Sequence, residues 1–459
     1  MKDFLTVSYN TDSLLAMAEE KQYRKLKSIL DDCNEVDVAE FIEELDAEKT
    51  VLIFRMLAKE QAADVFAMLT VEHQQIIIDR INDAELKTII EALFVDDAVD
   101  MLEELPANVV SRVMKNASPA TRNLINQFLN YPENSAGSIM TAEYIGLKKT
   151  MTVGEAVTYV RKVALDKETI YTCYVTDPMR RLEGVLSLKD LFLHPEETVL
   201  SEIMDENVLK AVTTQDKEEV ADLFQKYGLL ALPVVDTEQR LVGIITFDDA
   251  IEVIQDEATE DMEKMAATLP SDRPYLKTGV FALWKNRIPW LLFLMVSSTF
   301  TGSIISGFED ALAVFPALLS FIPMLMGTSG NAGGQTSVTI IRGIALNEIA
   351  FKDIFCVLWK ELRVAVVCGV VLAVANFGKI ILLDNMLLRH NVSLMEAAVV
   401  CVTLLVAVLC AKLIGCALPL LAKKVGFDPA VMASPFITTI VDAVSLLVFF
   451  GIAVSVLPM

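Results

Sequence analysis

Histidine is scarce in this chain, three residues in 459. Cysteine occurs seven times, at Cys33, Cys173, Cys356, Cys368, Cys401, Cys410 and Cys416, but never as a Cys-x-x-Cys pair. No phosphate-binding glycine loop and no nucleophile–base constellation is present. These absences argue against zinc and dithiol redox centres and against an enzyme, and leave the cysteines as small packing residues. Basic residues are outnumbered 39 to 62, so a nucleic-acid-binding surface is not expected. The first 21 residues hold no uninterrupted apolar core, so no cleavable signal peptide is expected.

What the chain has is acid at one end and oil at the other. From Met1 to Arg287 there are 53 acidic and 30 basic residues, and from Ile288 onward nine of each, so the net charge of −23 belongs to the first part. Mean hydropathy is +0.46, high for a soluble protein. Five stretches are apolar enough to span a bilayer: Ile288–Phe308, Leu312 through Ile341, Val364–Leu383, Met395–Leu421 and Ala433–Leu457. The second is overlong and is expected to be broken by Pro316, Pro323 and its glycines, as backbone lining a cavity would be.

Lysine and arginine set the orientation. Lys285 and Arg287 precede the first span, Arg342, Lys352, Lys360 and Arg363 join the second to the third, and Lys423 and Lys424 join the fourth to the fifth. The other connections carry Glu309 and Asp310, then Asp384, Arg389, His390 and Glu396. Positive charge marks the cytosolic side, which puts the N-terminus and its acidic part inside and the C-terminus outside.

The acidic part divides in two. Thr11 to Tyr131 reads as helix, and the phrases at 39–45, 63–69 and 99–105 resemble one another, a degenerate repeat suited to a stacked superhelix. Alone, this suggests a scaffold. From Gly137 to Ile254 a clearer duplication appears. Ser138-Ile139-Met140-Thr141 matches Glu202-Ile203-Met204-Asp205, and Val175 to Asp190 matches Val234 to Asp249, each a strand, a turn, a strand, an Asp and a helix. This pattern resembles a tandem pair of CBS domains, modules that sense ligands or dimerise. The first copy has five extra residues between helix and strand, which is expected to alter its ligand cleft.

Next, Asp256-Glu257-Ala258-Thr259-Glu260-Asp261 packs four carboxylates into six positions, with Glu257 and Glu260 or Asp261 on one helical face. In isolation that is a solvated acidic helix start, but between a sensor pair and a membrane part it becomes a candidate divalent-cation site. The membrane part holds a run from Gly327 to Ser337, with four glycines, Asn331 and Gln335, richer in polar atoms than helix packing needs. Asp442 is the one ionisable residue inside the last span. A carboxylate at that depth costs about 2.5–3.5 kcal/mol and is a functional candidate by default. The spans offer Lys379 and Lys412 as possible partners for it.

Taken together these features resemble the MgtE family of bacterial magnesium transporters. The resemblance covers nearly the whole chain and is most specific at Gly330-Asn331-Ala332-Gly333-Gly334-Gln335, Arg342-Gly343, Asp428-Pro429 and Thr438-Thr439 leading to Asp442. It implies an all-α superhelical N-domain (1–136), an α/β tandem CBS pair (137–200 and 201–255), a connecting helix (256–287) and a five-helix transmembrane domain (288–459). It implies a homodimer in the cytoplasmic membrane, with the pore on its two-fold axis. Asp442 would recognise hydrated Mg²⁺, with Asp428 as a second metal-binding acid. Gly330, Asn331, Gly333, Gln335, Ser434, Pro435 and Thr438 would lie along the path. It further implies feedback, in which cytosolic Mg²⁺ bridges acids and shuts the pore. The bridging acids would be Asp64, Asp96 and Asp100, then Asp216, Glu218 and Asp249, then Glu257, Glu260 and Asp261. ATP at the CBS pair occurs in the family. Two departures stand out: Gly228, where family members often carry an acid between Tyr and Leu, and Asn347, where Gly is common. A CBS-regulated carrier of another solute and a membrane-tethered sensor without transport remain as alternatives.

Overall fold

The computed structural model describes residues 11–271, 275–276, 278–387, 392–432 and 434–457, so Arg389 and His390 lie outside it, and of Ser434 the backbone alone is described. The chain divides into two compact units, Met1–Ile254 and Gln255–Met459.

The first unit opens with ten short helices: α1 (Thr11–Glu19), α2 (Tyr23–Leu30), α3 (Glu35–Glu43), α4 (Ala47–Phe54), α5 (Lys59–Met68), α6 (Val71–Arg80), α7 (Asp83–Ile90), α8 (Val95–Glu104), α9 (Ala107–Asn116) and α10 (Pro119–Phe128). Polar caps start several of them. Asn34 and Asp46 accept from the first backbone N–H groups of α3 and α4, Asn82 and Glu85 form a capping box on α7, and Ser118 caps α10 ahead of Pro119. The three similar phrases fall on α3, α5 and α8. Each buries its apolar stripe: Phe41 and Ile42, Val65 and Phe66, Met101 and Leu102. Alternate helices stack, α3 on α5, α5 on α7 and α7 on α9, which is how helical repeats too small for a private core share one.

Two three-stranded sheets follow, ordered β1–β2–β3 and β4–β5–β6. The first copy comprises β1 (Ile145–Lys148), α11 (Val153–Val163), β2 (Thr172–Thr176), β3 (Leu182–Ser187) and α12 (Leu188–Leu193). The second comprises β4 (Ala211–Val212), α13 (Lys217–Tyr227), β5 (Ala231–Val235), β6 (Leu241–Thr246) and α14 (Phe247–Met265). The register repeats: Cys173 faces Leu186 as Leu232 faces Ile245, with a bulge after Val175 and after Val234. The lead-in segments cross over. Thr141 pairs with Ile244 of the second sheet, and Asp205 pairs with Val185 of the first. A Cβ at Gly184 would run into Met204, and one at Gly243 into Met140. The glycines that match in the duplicated sequence are therefore each required by the methionine of the other copy's lead-in.

α14 runs unbroken through the acidic stretch, so 256–261 is mid-helix, not a helix start. The described residues do not form the single connecting helix expected over 256–287: α14 ends at Met265, and the next helix is α15 (Val280–Gly307). Beyond α15 come the short α16 (Glu309–Val314), α17 (Ile322–Ala345), α18 (Ile354–Lys379), α19 (Leu394–Val425) and α20 (Ser434–Val456). Among the described residues, four helices are long and apolar enough to cross a membrane: Val280–Gly307, Phe351–Leu387, Leu394–Val425 and Pro429–Val456. The remaining expected span, the second in order, is α17 of 24 residues, about 36 Å at 1.5 Å per residue, but it is rich in Gly, Ser and Thr and packs against α19 and α20. Its break falls where Pro316 opens a 3₁₀ turn ending at Phe321. The glycines do not break it; α17 is continuous through Gly327–Gly343.

Candidate functional site

In the membrane unit the glycines of α17 set the distance to its neighbours. A Cβ at Gly330 would lie 3.2 Å from Thr438 Cγ2 and 3.6 Å from Asp442 Oδ1, so the bare backbone brings α17 up to the carboxylate. A Cβ at Gly333 would lie 3.1 Å from Ile437 Cγ2 and 3.2 Å from the Ala411 carbonyl oxygen, and one at Gly415 would strike the Gly333 carbonyl. Gly333 is thus buried in the α17–α19–α20 contact, where it packs and does not line a path. Ser329 Oγ and Ser445 Oγ, 2.7 Å apart, tie α17 to α20 one turn from Asp442. Thr438 and Thr439 both donate to the Pro435 carbonyl, at 2.9 and 3.0 Å, so that oxygen is occupied within the helix.

Asp442 sits eight residues into α20, about 12 Å along the helix from Ser434. Among the described residues no hydrogen bond or ion pair engages its carboxylate. The two lysines that could have neutralised it are committed elsewhere. Lys412 Nζ, buried, donates to Thr336 Oγ1 at 3.0 Å and lies 3.8 Å from Glu361 Oε2. Lys379 Nζ lies 3.1 Å from Asp384 Oδ2 and 5.6 Å from the centre of the Phe321 ring. Alongside, Gly327, Asn331, Gln335 and Thr339, each four residues after the last, form an exposed stripe on α17. Polar groups exposed on a membrane-spanning helix need either a protein partner or water.

Asp428 lies in the turn before α20 and gathers with the connecting acids. Its Oδ1 accepts from Ala430 N at 2.8 Å, and its Oδ2 is 2.7 Å from Lys264 Nζ, which is also 2.5 Å from Glu260 Oε1. Burial alone would lower the Lys264 pKa, but the bonds to Asp428 and Glu260 outweigh it and hold the ammonium above the ordinary lysine value. Burial and then the Asp428 charge push Asp261 up.

The first unit carries the second concentration of acid. Burial, then the charges of Asp97, Asp249, Glu168 and Glu143, pushes Asp96 up to about 8, and its Oδ1 is buried without a hydrogen-bond partner. Asp97 is raised to about 6 by burial and by Asp249, Asp64, Glu143 and Asp248. Asp100, exposed along one flank, is raised to about 7 by partial desolvation and by Glu103, Asp97, Glu252 and Asp249. Glu168 reaches about 7 by burial and by Asp248 and Asp249. Asp249 is raised too, by burial, although Thr246 donates to its Oδ2 from both N and Oγ1. Among the described residues no three carboxylates converge as a ready metal cage; the cluster is a crowd of like charges, not a coordination sphere.

Of the expected regulatory acids, Asp64, Asp96, Asp100 and Asp249 meet here. Asp216 caps α13, accepting from Glu218 N at 2.9 Å, and neither it nor Glu218 is among the charges that act most strongly on the α8 acids. Asp97, Glu143, Glu168 and Asp248 were not anticipated. Glu168 lies in the five-residue excess of the first copy, so the sequence did hold a signal for it. Gly228 closes α13 in the left-handed region, φ 63°, its N–H bonding Phe224 O, a conformation that glycine adopts without strain.

Comparison with known proteins decides the family. Residues 322–452 match the MgtE divalent cation transporter domain, 33–134 the MgtE intracellular N domain and 200–256 the CBS domain. The magnesium transporter MgtE of Thermus thermophilus is 36% identical over 445 residues, 96% of this chain and 97% of that protein. The chain belongs to the MgtE family. The MgtE of Bacillus subtilis is 31% identical over 96% of both chains. The crystal structure of the cytosolic domain of the Mg²⁺ channel MgtE in complex with ATP is similar at 37% identity and a TM-score of 0.50, over 53% of this chain and all of that one. The crystal structure of the soluble part of a magnesium transporter is similar at 28% identity and a TM-score of 0.51, over 54% of this chain and 98% of that one. This MgtE-family member is therefore an all-α N-domain, a CBS pair and a helical multi-pass membrane domain, and its family is one of transporters.

Proposed function

We propose that this chain is a homodimeric magnesium channel or transporter of the cytoplasmic membrane, with N-terminus inside and C-terminus outside, closed by Mg²⁺ bound to its cytosolic acids. The observation that carries the reading is the Asp442 carboxylate, without a cationic partner among the described residues, held beside the bare Gly330 backbone and Thr438. Mg²⁺ sheds water reluctantly, so Asp442 would hold the hydrated ion through its water shell, one carboxylate from each copy serving a doubly charged ion. The exposed polar stripe of Asn331 and Gln335 supports a second copy or a wet path against α17. Ser434 and Pro435 belong to the same end of α20.

Closure would use the crowded acids. Carboxylates that must share protons to coexist are stabilised by any cation that enters between them. Asp64, Asp96, Asp97, Asp100, Glu168 and Asp249 have the charge and the unsatisfied Asp96 oxygen to receive Mg²⁺, with Asp216 and Glu218 as further candidates at the start of α13. At the membrane end Glu257, Glu260, Asp261 and Asp428 would do the same. ATP would sit at the CBS pair, where the Tyr174 hydroxyl is buried without a hydrogen-bond partner, in a cluster that joins residues of both copies; a bound nucleotide would supply the missing partner.

The test is Mg²⁺-dependent growth of a transport-deficient bacterium carrying the chain or Asp442→Asn at equal membrane abundance. Rescue by the parent and loss in the variant are expected. A correctly inserted parent that gives no rescue, with or without residues 1–254, would return the other-solute carrier or the non-transporting sensor.

A further inference from the structure

Outside the ion path, α18 and α19 leave an apolar groove of about 480 Å³. Phe355, Leu358, Trp359 and Leu362 form one wall, and Leu413 and Ala417 the other. The small Ala417 opposite large α18 side chains makes the indentation. Phe355 is 82% exposed and Trp359 60% exposed, so in a bilayer this groove faces lipid tails or another protein.

Cations border the groove along its α18 wall, Lys352 ahead of the helix start and Lys360 and Arg363 beside Trp359 and Leu362. Lys352, Phe355, Trp359 and Arg363 follow at spacings of three and four, one face of the helix. The Arg363 guanidinium turns back over the Trp359 ring, 5.8 Å from its centre, with Nε donating to the Trp359 carbonyl at 3.3 Å. Lys360 is exposed next to it, and Lys424 of α19 lies 4.1 Å from the centre of the Phe351 ring. Among the described residues Lys352, Lys360 and Arg363 have no carboxylate partner. The nearby acids are engaged: Asp353 accepts from Ala350 N, and Glu361 faces Thr336 and Lys412. Glu348, on the preceding turn, is exposed and has no ion pair among the described residues.

We propose that this groove is a binding site for an anionic phospholipid, an acyl chain lying along Trp359, Leu362 and Ala417 and the phosphodiester headgroup held by Lys352, Lys360 and Arg363. Basic groups beside a groove between membrane helices recognise such headgroups, and an aromatic stacked under arginine marks the interfacial depth where phosphate lies. A second copy of this chain is the weaker occupant. Among the described residues its spans present no unengaged acid other than Asp442, because Asp384 and Glu361 are each paired with lysine; Glu348, in the turn before α18, is a single acid against three cations. The proposal does not depend on which ion the pore carries.

Trp359 is one of three tryptophans in the chain, so Trp284→Phe with Trp290→Phe leaves it as the sole reporter in the full-length protein. Reconstituted in vesicles that mix phosphatidylglycerol and phosphatidylcholine, with bromine on the chains of one or the other, Trp359 should be quenched with a several-fold preference for the anionic lipid. Lys352→Gln, Lys360→Gln and Arg363→Gln together should bring that preference close to one, while quenching by brominated phosphatidylcholine persists and shows that the groove is intact. A preference near one in the parent, or one that the triple variant leaves unchanged, overturns the proposal. Absence of quenching by either lipid also overturns it, since the groove is then covered by protein.

Discussion

Lys264 Nζ lies 2.7 Å from Asp428 Oδ2, so an ammonium carried by α14 occupies the one acid of the turn between α19 and α20. Glu260 shares the same ammonium, and Asp261 stands beside it with a raised pKa. A built-in cation and a bound divalent ion compete for the same oxygens. Lys264→Met is therefore expected to lower, several-fold, the Mg²⁺ concentration that half-closes the protein, read as Mg²⁺-dependent flux in proteoliposomes. An unchanged midpoint would mean that these carboxylates do not hold the closing ion.

The α8 acids make the first unit sensitive to pH in a defined direction. Asp96, Asp97, Asp100 and Glu168 have folded pKa values of about 8, 6, 7 and 7, above the unfolded carboxylate range near 4. The folded state binds more protons between those limits, so stability falls as pH rises from about 4 to 8. A fragment ending at Met265, without divalent ions, should melt lower at pH 8 than at pH 6. Millimolar Mg²⁺ should raise the melting point more at pH 8, because ion and proton occupy the same carboxylates. Asp96→Asn should flatten the profile, each kcal/mol recovered showing as about 2–4 °C.

Two glycines of the membrane unit should separate folding from flux. Gly415→Ala drives a Cβ into the Gly333 carbonyl, and backbone cannot yield as a side chain can, so loss of thermal stability in detergent is expected. Gly330→Ala meets Thr438 and Asp442 side chains at 3.2 and 3.6 Å; it should fold and be deficient in Mg²⁺ uptake. Equal stability of the two variants would remove the distinction.

The Lys412–Glu361 pair gives a double-variant test. Lys412→Met leaves the half-buried Glu361 carboxylate with Thr336 as its partner and without a cation, a loss of about 1–3 kcal/mol. Adding Glu361→Gln should recover a substantial part, seen as a detergent melting temperature above that of the single variant. Additive losses would show that the two charges do not sense each other.

Much of this was legible in the residues. The helical repeat, the CBS duplication and the Gly330-to-Gln335 and Asp442 motifs are patterns with a fixed period or spacing, and such patterns survive in a linear string. The partners of Lys412 were not legible, because Thr336 and Glu361 come from helices distant in sequence; Asp384, five residues after Lys379, is a local partner. The continuity of α17 was missed because glycine breaks helices in water but is tolerated where neighbours pack closely, as Ile437 and Ala411 do around Gly333. The start of α15 at Val280, eight residues before the apolar run, reflects a helix that continues past its membrane-compatible part.

The exposed stripe of α17 bears on how the protein is made and kept. A chain newly inserted alone would hold Asn331 and Gln335 against hydrocarbon until another copy or a water-filled path covered them. If a second copy is what covers them, the chain's lifetime would depend on how many copies share the membrane, since an obligate partner makes stability inseparable from protomer density. At low expression, orphan chains would be the species presented to membrane proteases, and abundance should rise more steeply than synthesis.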